Sequence, residues 1–94
     1  MTKVILQGYI DVAESSLPAV LLELPKHIEL SRAETGCVVF TVEQDKVLAY
    51  RFHVYEEFTN QQAFDTHQQR VSASRWGGIT KNASRHYEVE RQLA

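Results

Sequence analysis

The apolar side chains of this 94-residue chain switch between a period of two and a period near 3.6, and the order of the switches leaves few folds open. Residues 3–11 (KVILQGYID) put Val4, Leu6 and Ile10 on one side and Ile5 and Tyr9 on the other, a strand with apolar residues on both faces. Gly8 inside it marks a bulge or a close approach by a neighbour. Residues 16–34 turn to helical spacing, with Leu17, Val20, Leu21, Leu24 and Ile28 in one stripe. Ser15 or Ser16 can cap the start, and Pro18 suits the first turn. Pro25 predicts a kink or restart near Leu24, and Gly36 stands where a left-handed cap belongs.

Residues 37–43 (CVVFTVE) and 48–56 (LAYRFHVYE) read as strands joined by a polar hairpin connection at 44–46. In the second, Leu48, Tyr50, Phe52 and Val54 share one face, and Ala49, Arg51, His53 and Tyr55 the other. Residues 60–75 return to helical spacing behind an Asn60 cap, with Ala63, Phe64, His67 and Val71 on one face; Trp76-Gly77-Gly78 ends or turns that helix. Residues 85–91 form a last strand with Tyr87 and Val89 inward. The order β-α-β-β-α-β predicts a ferredoxin-like α+β fold, a single domain over 1–94 with a four-stranded antiparallel sheet and both helices on one face. Residues such as Ile5, Tyr9 or Leu48 would then be left on the open face. With 44% hydrophobic residues in so short a chain, a homodimer through the sheet face is expected to cover them.

Charge and cysteine usage narrow the function classes. A net charge of −2 and a pI near 6 speak against a nucleic-acid partner. No run approaches the roughly 18 apolar residues of a membrane span, and the N-terminus lacks the pattern of a secretion signal, so a cytoplasmic protein without a membrane partner is expected. Cys37, the only cysteine, permits neither an intrachain disulfide nor a thiolate zinc site. Residues 70–85 hold Arg70, Arg75, Lys81 and Arg85 with no acid among them, either a solvated basic face or the rim of an anion-facing pocket.

His67, on the apolar face of the second helix, is the strongest chemical candidate: a half-buried structural histidine, or an acid/base group facing a pocket. Arg51, His53 and Tyr55 share a strand face that is too polar for a dry core. They suit cross-strand pairing with Glu88 or Glu90 or a polar network at an interface, or else an anion or carbonyl site. Trp76 and Phe64 can supply apolar walls, and Arg51 or Arg75 can stabilise developing negative charge. His27 and His86 read as surface histidines, and Cys37 as a structural thiol. No metal-ligand spacing, Gly-rich phosphate loop or nucleophile elbow is present, so neither a metal nor an organic cofactor is expected.

Two stretches carry a resemblance. His27-Ile28-Glu29-Leu30-Ser31-Arg32-Ala33-Glu34-Thr35-Gly36-Cys37, and Val54-Tyr55-Glu56-Glu57-Phe58 followed by Gln62-Ala63-Phe64-Asp65-Thr66-His67, are similar to motifs of the antibiotic biosynthesis monooxygenase (ABM) family. The resemblance implies a dimeric α+β barrel with a pocket between sheet and helices in each subunit. It also implies oxidation of quinol- or anthrone-like aromatics by O₂ without metal or flavin. His67 matches the family's helix histidine, Trp76 a following tryptophan and Glu56 a strand-end glutamate. Phe58 stands where many members have tryptophan, and with Trp76 and Phe64 it is an expected substrate contact; Ser72 stands where many have a second histidine. Gln7 and Phe58 depart from the pattern of haem-degrading relatives. These departures keep a non-catalytic small-ligand-binding dimer as the alternative function.

Overall fold

The computed structural model describes residues 2–93. Strand β1 (Thr2–Asp11) leads through a 3-10 turn at Glu14–Ser16 into helix α1 (Leu17–Arg32). Strands β2 (Cys37–Gln44) and β3 (Arg51–Phe58) follow, then helices α2 (Gln61–Ser72) and α3 (Arg75–Ile79) and strand β4 (Ser84–Leu93). The strands form one antiparallel sheet in the order β2-β3-β1-β4. This is the expected α+β arrangement, with a short third helix where a helix end was expected.

Period-two alternation decides which side chains meet the helices. Val4, Leu6 and Ile10 of β1, Phe40 and Val42 of β2, and Phe52, Val54 and Phe58 of β3 are buried on the helix side. Val20, Phe64 and Trp76 from the helices close the same core. Glu56 is buried with them, because position 56 falls on the inward beat between Val54 and Phe58.

Local chemistry explains where the segments end. The connection between β2 and β3 is longer than 44–46, since the Asp45 carboxylate accepts from the backbone N–H groups of Val47 and Leu48 at 2.8 and 2.9 Å. Those bonds curl residues 45–50 into a loop, and Leu48 and Tyr50 lie before the strand rather than in it. Helix α1 runs unbroken through Pro25, so no restart occurs near Leu24. Ser16 makes no side-chain cap; the 3-10 turn and Pro18 in the first turn start the helix instead. Asn60 does cap α2, accepting from Ala63 N–H at 2.8 Å. Ser74 stops it, its hydroxyl accepting from Gly77 N–H and donating to the Val71 carbonyl, which starts α3 anew.

Two expectations about burial are corrected. His27 is buried, not on the surface, because it stacks on Trp76 with ring centroids 4.4 Å apart and planes at 3°. Val89 points to the helix side but is exposed, since the helices do not reach over the C-terminal half of β4. The open face of the sheet is mixed in character. Ile5 is buried there and Tyr9 half-buried, but Arg51 forms a two-point ion pair with Asp11 and lies over the Tyr9 ring. Lys3 pairs with Glu57, which also accepts from the Tyr55 hydroxyl.

The backbone at Gly8 has φ +150°, and a Cβ there would meet the His86 carbonyl oxygen of β4 at 2.0 Å. Gly8 therefore admits β4 against β1. Gly8→Ala is expected to cost at least about 2 kcal/mol in urea unfolding. Gly78→Ala, whose Cβ meets nothing within 4 Å in α3, is expected to be neutral or stabilising.

Candidate active site

A cavity of about 540 Å³ lies between sheet and helices. Leu6, Glu56 and Tyr87 form its sheet side, and His27, His67, Val71 and Trp76 its helix side. Lys81 and Arg85 also line it, together with Gln68, Ser72 and the Gly77-Gly78 backbone.

His67 is held from every side. Its Nδ1 is 2.7 Å from Glu34 Oε1, and since an ionised carboxylate can only accept, Nδ1 carries the proton. Arg70, one helical turn further along α2, donates to the other Glu34 oxygen and to Ser31 Oγ. Phe40 and Phe58 bracket the imidazole with centroids at 5.3 and 4.9 Å. The unprotonated Nε2 is left toward the cavity, 3.5 Å from Glu56 Oε1. Burial lowers the His67 pKa below 6.5 against the opposing pull of Glu34, so the ring is neutral at pH 7.

Glu56 is the second unusual group. Burial, reinforced by the Glu34 charge, pushes its carboxyl up to about 8. Its Oε1 has no hydrogen-bond partner, and neither does His27 Nδ1. His27 is driven down to about 3 by burial, so it too stays neutral. The cavity therefore presents an imidazole with a free lone pair, a protonated carboxyl and a second neutral histidine against an aromatic wall. That set can accept a proton from a bound hydroxyl and return one to a departing oxygen.

The residues singled out in the sequence separate into three places. His67 and Trp76 line the cavity. Phe58 and Phe64 lie in the core, 5.7 Å apart by centroid, and Phe58 shapes the seat of His67 rather than the cavity wall. Arg51, His53 and Tyr55 belong to the opposite face of the sheet, because their alternation on β3 is out of phase with Glu56. Arg51 is taken by Asp11 there, and His53 pairs with Asp45 at 2.7 Å rather than with Glu88 or Glu90. Arg75 reaches Glu23 and stays outside the cavity lining. His86 is exposed and stacks on Tyr9, and burial raises the Cys37 thiol, which suits an unreactive sulfur. The role of Glu34 had no signal of its own in the sequence. It lies 33 positions from His67, and only folding brings them together.

A ferredoxin-like α+β domain with a histidine-centred cavity between sheet and helices describes a broad class of small proteins. The sequence model of the antibiotic biosynthesis monooxygenase family matches residues 3–77, so the chain belongs to that family. Among solved structures, it is similar to the Pseudomonas aeruginosa protein PA3566 with a TM-score of 0.77 and 24% identity, over 100% of this chain and 97% of that one. A Nitrosomonas europaea protein assigned to the antibiotic biosynthesis monooxygenases gives 0.74 and 18%, over 100% and 98%. A Bacteroides thetaiotaomicron protein of unknown function gives 0.73 and 16%, over 96% and 95%. These likenesses establish the fold. No curated protein matches the sequence. Among the described residues, no helix is long and apolar enough to cross a membrane.

The raised Glu56 pKa predicts a pH-dependent stability. The native state holds a proton that the unfolded chain releases near pH 4.5, so Glu56 costs stability as pH rises from about 4.5 to about 8. The loss is on the order of a few kcal/mol and is complete above pH 8. Urea unfolding of wild type and Glu56→Gln at pH 5 and pH 9 is expected to show the variant gaining relative stability at the higher pH.

Proposed function

We propose that this protein is a cofactor-independent monooxygenase that oxidises a small aromatic, quinol- or anthrone-like substrate with O₂, with His67 as general base. The observation that carries the reading is the Glu34–His67 hydrogen bond, which protonates Nδ1 and leaves Nε2 as a base facing the cavity. Family membership supports the reaction class. Trp76, Val71 and Leu6 supply apolar walls that suit a planar ring.

For an anthrone-like substrate, Nε2 takes a proton and leaves an electron-rich carbanion. O₂ adds to that carbon, stepwise through one-electron transfer. The imidazolium returns its proton to the peroxide. Collapse of the hydroperoxide then forms a carbonyl and releases water, so CH₂ and O₂ become C=O and H₂O. In that collapse neutral Glu56 donates to the departing oxygen while His67 Nε2, neutral again, takes the remaining C–H proton and returns it to the Glu56 carboxylate 3.5 Å away.

Oxygen uptake by purified protein with a panel of quinols and anthrones tests this reading. His67→Ala is expected to lower kcat/KM by about 10²–10⁴. The rate is expected to rise with pH through a pKa below 6.5, that of His67, and to fall above about 8 as Glu56 ionises. Glu56→Gln removes the alkaline fall. Equal rates for wild type and His67→Ala sink the assignment, and ligand binding without turnover assigns the cavity to binding alone.

The working unit we propose is a cytoplasmic homodimer joined through the open face of the sheet, where Ile5, Tyr9 and Tyr55 lie among ion pairs. Sedimentation at low micromolar concentration is expected to give a dimer. Ile5→Arg, at the middle of that face, is expected to shift it toward monomer; a monomeric wild type overturns the assembly.

A further inference from the structure

Four cations lie between residues 70 and 85, and the fold uses them differently. Arg70 is bound to Glu34, and Arg75 reaches Glu23. Lys81 and Arg85 have no carboxylate partner among the described residues, and both line the cavity that holds His67. Arg85 is also oriented. Its guanidinium donates to Thr80 Oγ1 at 3.0 Å and to the Ala83 carbonyl at 3.3 Å. Thr80 is itself buried and donates to the Trp76 carbonyl at 2.8 Å. The cavity therefore has two unlike parts. Lys81 and Arg85 leave unbalanced positive charge, whereas His27 Nδ1 and Glu56 Oε1 are buried polar atoms without partners. An unpaired buried polar atom has given up its water without a replacement, so a bound ligand that satisfies it gains affinity.

We propose that the substrate is an anionic hydroxyaromatic: its hydroxyl meets His67 and Glu56, and an acidic substituent is held by Lys81 and Arg85. The substrate assignment deepens the monooxygenase reading and rests on it, but the binding preference itself does not require turnover. The acid group is recognised by charge-assisted hydrogen bonds from an oriented guanidinium and a flexible ammonium. Neutral quinols of the same size lack that anchor.

Trp76 is the only tryptophan and lines the cavity, so its fluorescence reports occupancy directly. The probes are 6-hydroxy-2-naphthoate, with hydroxyl and carboxylate at opposite ends of a rigid ring, and 2-naphthol, which lacks the acid. In low salt, 6-hydroxy-2-naphthoate is expected to bind about tenfold or more tightly than 2-naphthol. The double variant Lys81→Gln/Arg85→Gln is expected to lose that advantage while its affinity for 2-naphthol stays the same. Arg85→Lys, which keeps the charge, is expected to retain most of the preference. Equal binding of the two probes, no binding of either, or equal loss of both in the double variant overturns the proposal. Preference for the acid without oxygen uptake on any hydroxyaromatic acid leaves the ligand class standing and overturns the monooxygenase reading instead.

Discussion

The carboxylate of Glu34 is the contact on which the site depends. It lies just past the end of α1 and binds His67 and Arg70 of α2 at the same time. One oxygen sets the histidine tautomer; the other is neutralised by the guanidinium. Without Glu34, a buried imidazole would have no fixed proton and Arg70 no counter-charge. Arg70 also reaches Ser31, so the end of α1 is tied to α2 by bonds to charged groups. Such bonds are worth more than neutral ones, and more again when water is excluded.

The two faces of the sheet serve separate purposes because strand alternation sends neighbours in opposite directions. On β3, Glu56 turns toward the helices and becomes protonated, while Glu57 turns outward, pairs with Lys3 and is held below the usual carboxylate range by Tyr55 and Lys3. Identical side chains one residue apart thus end in opposite ionisation states. The difference follows from solvation: one carboxyl is dry and lacks a cation, the other has both a cation and a hydroxyl donor. The same alternation removes Arg51, His53 and Tyr55 from the cavity, despite their chemically suggestive grouping.

Much of the fold was legible because period and caps are local. The β-α-β-β-α-β order, the Asn60 cap and the left-handed Gly36 all follow from residues within a few positions of each other. Legibility failed where a distant partner decided the outcome. The start of β3 moved because Asp45 bends the preceding loop. His27 looked like a surface residue until Trp76, 49 positions later, stacked on it. Phe58 and Phe64 were legible as candidate aromatic walls, but whether they faced a cavity or the core was decided by the packing of α2 on β3, which sets the two rings against each other and Phe58 against His67.

By itself, the sequence determined the class of fold, the apolar face that carries His67 and the acid-free run that ends in Arg85. Each is a matter of spacing along the covalent chain, which needs no tertiary contact to define it. The tertiary structure alone decided that Glu34 holds His67, that Glu56 loses its charge and that Lys81 and Arg85 face the same cavity as His67. The reason is electrostatic. The charge, tautomer and reach of a buried group depend on what surrounds it within a few ångströms, and here those surroundings are assembled from segments distant in the chain.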